Sequence, residues 1–260
     1  MFIPLHDQNS LVNIRLQFVT LVLIAINVII WLLFTTASGG DEGILSGLYV
    51  SYGYIPAVAG DIKDIPAELA VFPVEASYIT YAFFHANFMH LAGNMLFLWV
   101  FGDNVEDAMG HFRFLIFYLL CAAIAAFSHG FVVPTSESPL IGASGATSGI
   151  VGAYLMLHPK VKVWVLVLGR IPLRLSAFWV LGAWILFQIY SLAAFYDSDV
   201  SWASHVGGFA AGALLILVMK RSDVPLFDRN VPKPAISSSG EGASEPVKTR
   251  ENPRKWGRGS

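Results

Sequence analysis

Charge is the first scarcity. Asp, Glu, Lys and Arg supply 13% of the 260 residues, where a soluble domain carries about a quarter, so the solvent of this chain reads as lipid. A formal net charge of −2 excludes a nucleic-acid partner held by whole-chain electrostatics. Cysteine is scarcer still. Cys121, the one cysteine, has no partner for an intramolecular disulfide and leaves the redox compartment unread. The chain contains no HExxH and no internal repeat of useful length. The first absence weighs against a zinc hydrolase of that type, the second against a transporter built from repeats. The chemistry read below needs no metal and no other cofactor.

Apolar length is what the chain has. Hydrophobic residues make up 55% and gather into six stretches free of acids and bases: Leu16–Gly40, Ala76–Gly102, Phe114–Ser136, Ser138–His158, Leu175–Tyr196 and Val200–Met219. Each can span a bilayer, which takes roughly 20 residues. Pro134 and Pro139 flank Glu137 and mark a loop between the third and fourth stretches. The Leu16–Phe34 core is longer than the apolar region of a signal peptide, about 7–15 residues, and is read as a retained helix. Orientation follows the bases. Lys160, Lys162, Arg170 and Arg174 sit in the fourth loop and Lys220 and Arg221 follow the sixth span, with Arg15 and Arg113 on the same side. Loop one carries Lys63 against six acids, and loops three and five carry acids only. The expectation is an all-α polytopic membrane protein of six transmembrane helices, both termini cytoplasmic. Residues 1–15 form a short lead and 16–221 the membrane domain, with a long outer loop at about 38–77 that folds at the interface. Residues 222–260 form a polar tail too poor in apolar groups to order itself.

Polar groups inside apolar spans are expensive and mark sites by default. Five stand out: His85, His90 and Asn94 around the second span, Ser144 at the start of the fourth, and His205 in the sixth. Asn27 and Gln188 also lie in spans and are read as interhelical hydrogen-bond partners outside any cluster. Serine becomes a nucleophile when a base takes its proton, and imidazole suits that task. The topology places Ser144 and His205 near the outer ends of two helices that run inward, at matching depth. Gly142 and Gly145 permit a tight turn there, and a helix starting at Ser144 leaves N–H groups free for a developing oxyanion. Gly208 and Gly212 on one helix, with Gly145 and Gly149 on the other, form the small-residue stripes that let membrane helices approach closely. His90 and Asn94, four residues apart, share a helix face and can add side-chain donors. Packing alone is the bland account of each glycine and each histidine; the shared depth is what favours chemistry. A metal site of His85, His90 and His205 is the rival arrangement, set lower for want of a zinc motif.

The segments HANFMHLAGN, VFGDNVED, GASGATSGIVGAYL and SHVGGFAAGAL, in that order between about Tyr49 and Met219, resemble the rhomboid family of intramembrane serine proteases. The resemblance implies a six-helix rhomboid-like bundle with Ser144 as nucleophile and His205 as general base. It further implies His90, Asn94 and the Ser144 backbone as oxyanion donors, and a more structural role for His85. Transmembrane protein substrates would approach through a lateral gate at the fifth helix. The chain departs from the family pattern at Ala76 and Ser77, where many members carry Trp-Arg. It departs again at Ser148, where some carry a tyrosine that stacks on the histidine. The expected partners are membrane-protein substrates and the bilayer, and the expected location is a bacterial plasma (inner) membrane with the site toward its outer face. A catalytically silent rhomboid-like binder in trafficking or quality control is the alternative.

Overall fold

The computed structural model describes residues 2–167, 169–194 and 200–228; the expected disordered tail, from 229 onward, lies outside the described residues. Strand β1 (Phe2–Asp7) leads into helix α1 (Phe18–Ala37). Apolar side chains of α1 such as Ile29, Leu32 and Leu33 point outward, while Thr20, Leu23 and Asn27 are buried. That inversion of the soluble pattern is what a lipid-facing helix requires. Among the described residues, four helices have the length and apolarity to cross a membrane: α1, α6 (His111–Val132), α8 (Ala177–Ala194) and α9 (Trp202–Met219).

The second apolar stretch, expected as one span over Ala76–Gly102, is divided. Its first part forms the short helix α4 (Ser77–Thr80) and a single 3-10 turn, Tyr81–Phe83. Helix α5 (Phe88–Met109) begins only after Asn87, whose side chain accepts from the His90 N–H at 2.9 Å, a helix-starting cap. His85 therefore precedes α5 and does not ride on its first turn. At its other end α5 runs past Asp103, Glu106 and Asp107. The fully buried Glu106 carboxylate accepts from the backbone of Val19 and Thr20 at 2.9 and 2.8 Å and from the Thr20 hydroxyl at 2.7 Å. Asp107 accepts from the N–H groups of Val12, Asn13 and Ile14. Both acids thus tie the approach to α1, and its first turn, onto α5, which offsets their burial.

Helix α7 (Ser144–Leu157) is 14 residues long, about 21 Å at 1.5 Å per residue. It is buried along most of its length and packs against α5, α6 and α9. The fold is not purely helical. Strands β2 (Lys162–Val167) and β3 (Ile171–Ser176) form a hairpin, and β1 pairs antiparallel with β2, Phe2 opposite Val167 and Asp7 opposite Val163. The all-α expectation is corrected here. Val163 and Val165 are buried while the intervening Trp164 is 38% exposed, the period-two pattern of a strand with one covered face. Residues 222–228 also belong to the fold: the Phe227 and Asp228 N–H groups donate to Met156 and Leu157 carbonyls at 2.8 and 2.9 Å. Strand β1, the β2–β3 hairpin and this segment therefore gather at one end of α7. At the other end the long first loop folds into α2 (Glu42–Tyr52) and α3 (Pro56–Ala59). It is stitched to the third loop by paired bonds between Tyr54 and Leu140, at 3.0 and 2.8 Å.

Candidate functional site

Ser144 is the first residue of α7, and what precedes it explains its presentation. Gly142 has φ +115°, a conformation that L side chains rarely adopt. Its N–H donates to the Tyr81 carbonyl at 3.0 Å, and the Ala143 N–H donates to His85 Nε2 at 3.3 Å. His85 thus props the turn from behind. A Cβ on Gly142 would fall 2.5 Å from His90 Nε2 and 3.7 Å from Asn94 Nδ2, so both α5 side chains lie against the residue two places before Ser144. Asn94 is buried, and its Nδ2 has no hydrogen-bond partner among the described residues. No side chain caps the N-terminus of α7, which leaves the Ser144 end of the helix with donors in hand.

Helix α9 brings His205. The α7–α9 contact is made by backbone: a Cβ on Gly208 would collide with the Gly145 carbonyl, and one on Gly212 with the Gly149 carbonyl. Gly145 itself faces the Ser204 hydroxyl, which a Cβ there would meet at 2.7 Å. With Gly145 opposite Ser204, their neighbours Ser144 and His205 stand at one level of the bundle. Both are partly accessible. His205 is also within electrostatic reach of His90 on α5.

The imidazole of His205 is held from α8. Its Nδ1 lies 2.8 Å from Gln188 Oε1. Trp184 lies over the ring at 6.3 Å and 30°, and Trp202 meets it edge-on at 6.0 Å and 87°. Gln188, expected outside any cluster, therefore belongs to this one. A glutamine inside an apolar span was the available signal, but nothing along one helix says which neighbour its face will meet. Ser148, at the position where some relatives place an aromatic, is turned away: its hydroxyl donates to the Ser144 carbonyl at 2.6 Å. His129 also went unremarked. Its Nδ1 lies 2.7 Å from the Ser201 hydroxyl, on the wall of a cavity of about 570 Å³ between the third loop and the start of α9. Among the described residues, no three His, Cys, Asp or Glu side chains are grouped to hold a metal ion.

Comparison with known proteins adds family context to this geometry. Residues 75–222 match the family model described as Rhomboid domain. The chain is 27% identical to Rhomboid-like protein 11, chloroplastic, of Arabidopsis thaliana, over 62% of this chain and 59% of that one. It is 32% identical to Rhomboid protein 1, mitochondrial, of Saccharomyces cerevisiae, over 53% and 40%. It is 25% identical to Rhomboid protease GlpG of Klebsiella pneumoniae, over 54% and 47%. The chain thus spans between 40% and 59% of the length of these relatives. Chloroplastic and mitochondrial proteins stand among them, so they lend no support to the bacterial plasma membrane expected from sequence.

Proposed function

The chain belongs to the rhomboid family of multi-pass membrane proteins, and from that premise we propose that it is an intramembrane serine endopeptidase. In this reading Ser144 is the nucleophile and His205 the general base. Ser144 Oγ attacks a substrate carbonyl while His205 Nε2 takes its proton, and His205 then returns that proton to the leaving amine. A water repeats the sequence to free the acyl group from Ser144. Oxyanion charge is met by the Ser144 N–H, Asn94 Nδ2 and His90, each preorganised donor contributing about 2.7–4 kcal/mol. Gly142, Gly145, Gly208 and Gly212 shape the turn and the helix contact, and His85 supports the turn. The substrates are transmembrane segments of other proteins, cut near one face of the bilayer.

The observation that carries this reading is the glycine-to-carbonyl contact of α7 with α9. It supports a reading in which Ser144 and His205 share one level near Asn94, whose Nδ2 has no hydrogen-bond partner among the described residues. The same reading takes α1, α5, α6, α7, α8 and α9 as six spans. It puts β1, the hairpin and the 222–228 segment on the cytoplasmic side with both termini, the site opening opposite. A lead at 1–15, a membrane domain at 16–221 and a tail beyond complete the division, with the tail's first residues folded back onto α7. The test is labelling by a fluorophosphonate probe and cleavage of a reconstituted transmembrane substrate. Wild type is expected to be labelled and active, and Ser144→Ala neither. Full cleavage by Ser144→Ala refutes the mechanism, and an unlabelled, inactive wild type identifies a binder.

A further inference from the structure

We propose that Gln188 is the positioning residue for His205, fixing the imidazole as the Nδ1–H tautomer so that Nε2 is the basic atom. The inference rests on the Ser144–His205 reading above and supplies the element that reading lacks. A dyad has no acid to orient its histidine, and the one-turn neighbour of the serine, Ser148, spends its hydroxyl on the Ser144 carbonyl.

Three observations carry it. The first is contact: Gln188 Oε1 lies 2.8 Å from His205 Nδ1. The second fixes which end of the amide faces the ring. Gln188 Nε2 donates back to the Trp184 carbonyl at 3.4 Å, so the oxygen is the end left for His205. An amide oxygen only accepts, hence Nδ1 carries the proton. The third is placement. Gln188 is 3% exposed, while its neighbours Phe187 and Ile189 are 54% and 48% exposed. With Ser191 it is one of two buried polar residues on α8, and the one of the two that carries an amide. An amide in such a place is costly unless it is hydrogen-bonded. Trp184, one turn earlier on the same face, lies over the imidazole and limits its tilt. A neutral acceptor does this work without a buried charge. Of the titratable groups on neighbouring elements, His90 of α5 is the one within electrostatic reach of His205, and His129 of α6 is engaged with Ser201. Gln188 and Trp184 of α8, and Ser144 and Ser148 of α7, carry no charge.

The experiment measures the second-order rate of fluorophosphonate labelling of the full chain between about pH 5 and 9, with melting temperature recorded for each variant. Gln188→Leu removes the acceptor and is expected to slow labelling about 10- to 100-fold. Gln188→Glu keeps an acceptor and adds charge. It is expected to recover most of the rate and to raise the midpoint of the acid limb by about one pH unit or more, because an adjacent anion favours the imidazolium. A purely structural glutamine would move the melting temperature of both variants and leave that midpoint in place. If Gln188→Leu fails to fold, Gln188→Glu decides alone: an unmoved midpoint overturns the proposal. A labelled wild type whose Gln188 variants match it in rate and midpoint overturns the positioning role and leaves the protease reading standing. A wild type that the probe does not label overturns both.

Discussion

Replacing Gly145 by alanine asks whether the closeness of α7 to its neighbours sets the site. A Cβ at that position would lie 2.6 Å from Ala125 Cβ, 2.7 Å from the Ser204 hydroxyl and 2.8 Å from the Tyr81 hydroxyl, where ordinary contact begins at 3.4 Å. The Ser204 hydroxyl can rotate away, but Ala125 Cβ is fixed to the α6 backbone and cannot. Relief at Ala125 alone requires α7 to withdraw by about 0.8 Å, and Ser144 is the next residue. Overpacking of this kind costs about 1–3 kcal/mol, and a misplacement of about 1 Å in a reacting group costs about 100-fold in rate. Gly145→Ala is therefore expected to lower cleavage of a reconstituted substrate tens- to hundredfold while the chain still folds. Pairing it with Ala125→Gly removes the nearest fixed obstacle and leaves the buried Tyr81 hydroxyl, which is bonded to the Ala122 carbonyl. The pairing should recover part of the loss, a coupling that a double-mutant cycle reads directly. Gly182→Ala, on α8 where no atom lies within 4 Å of the added group, is the control and should be neutral or stabilising by up to about 1 kcal/mol. Wild-type cleavage in Gly145→Ala, or a double variant worse than the sum of its parts, would refute the reasoning.

Two further outcomes concern the opposite end of the bundle. Burial raises the Asp7 carboxyl above its usual range, against the opposing effect of the hydrogen bond from Tyr154. The folded chain therefore holds a proton that the unfolded chain gives up. The stability this contributes is complete below the unfolded value of about 3.9 and is lost as pH rises through the raised folded value. Asp7→Asn is expected to melt at or above the wild-type temperature near neutral pH, with the difference shrinking on acidification; thermal scans that show it growing instead would count against this account. Asp107→Ala removes the acceptor for three successive N–H groups, those of Val12, Asn13 and Ile14. It should destabilise by about 2–3 kcal/mol and speed hydrogen exchange over those residues, and unchanged exchange there would show that the acid does not hold the segment.

Much of this arrangement was legible because lipid punishes polar groups. Ser144, His205, His90 and Asn94 stood out against apolar surroundings, and the glycine spacing named the helix pair that packs them. What escaped had one of three physical causes. Strand β1 is illegible in sequence because its partner lies about 160 residues away, and the short strands of the 162–176 hairpin look like any short apolar run. The late start of α5 was hidden because a side-chain cap at Asn87 is a local event inside a stretch of uniform hydropathy. Gln188 failed for a third reason: its meaning depends on the rotation of α8 against α9, which no pattern along either helix contains.

Strand β1 has a consequence for synthesis. Residues 2–7 are made long before residues 163–167, with which they pair, and Asp7 meets the Tyr154 hydroxyl at 2.6 Å. The carboxylates that receive the first turn of α1 and the residues before it are at 106 and 107. Residues 2–7 must therefore wait, unpaired, until residues 163–167 leave the ribosome. A nascent chain halted before the hairpin would carry β1 without the strand it pairs with, although the carboxylates that hold the approach to α1 would already be in place.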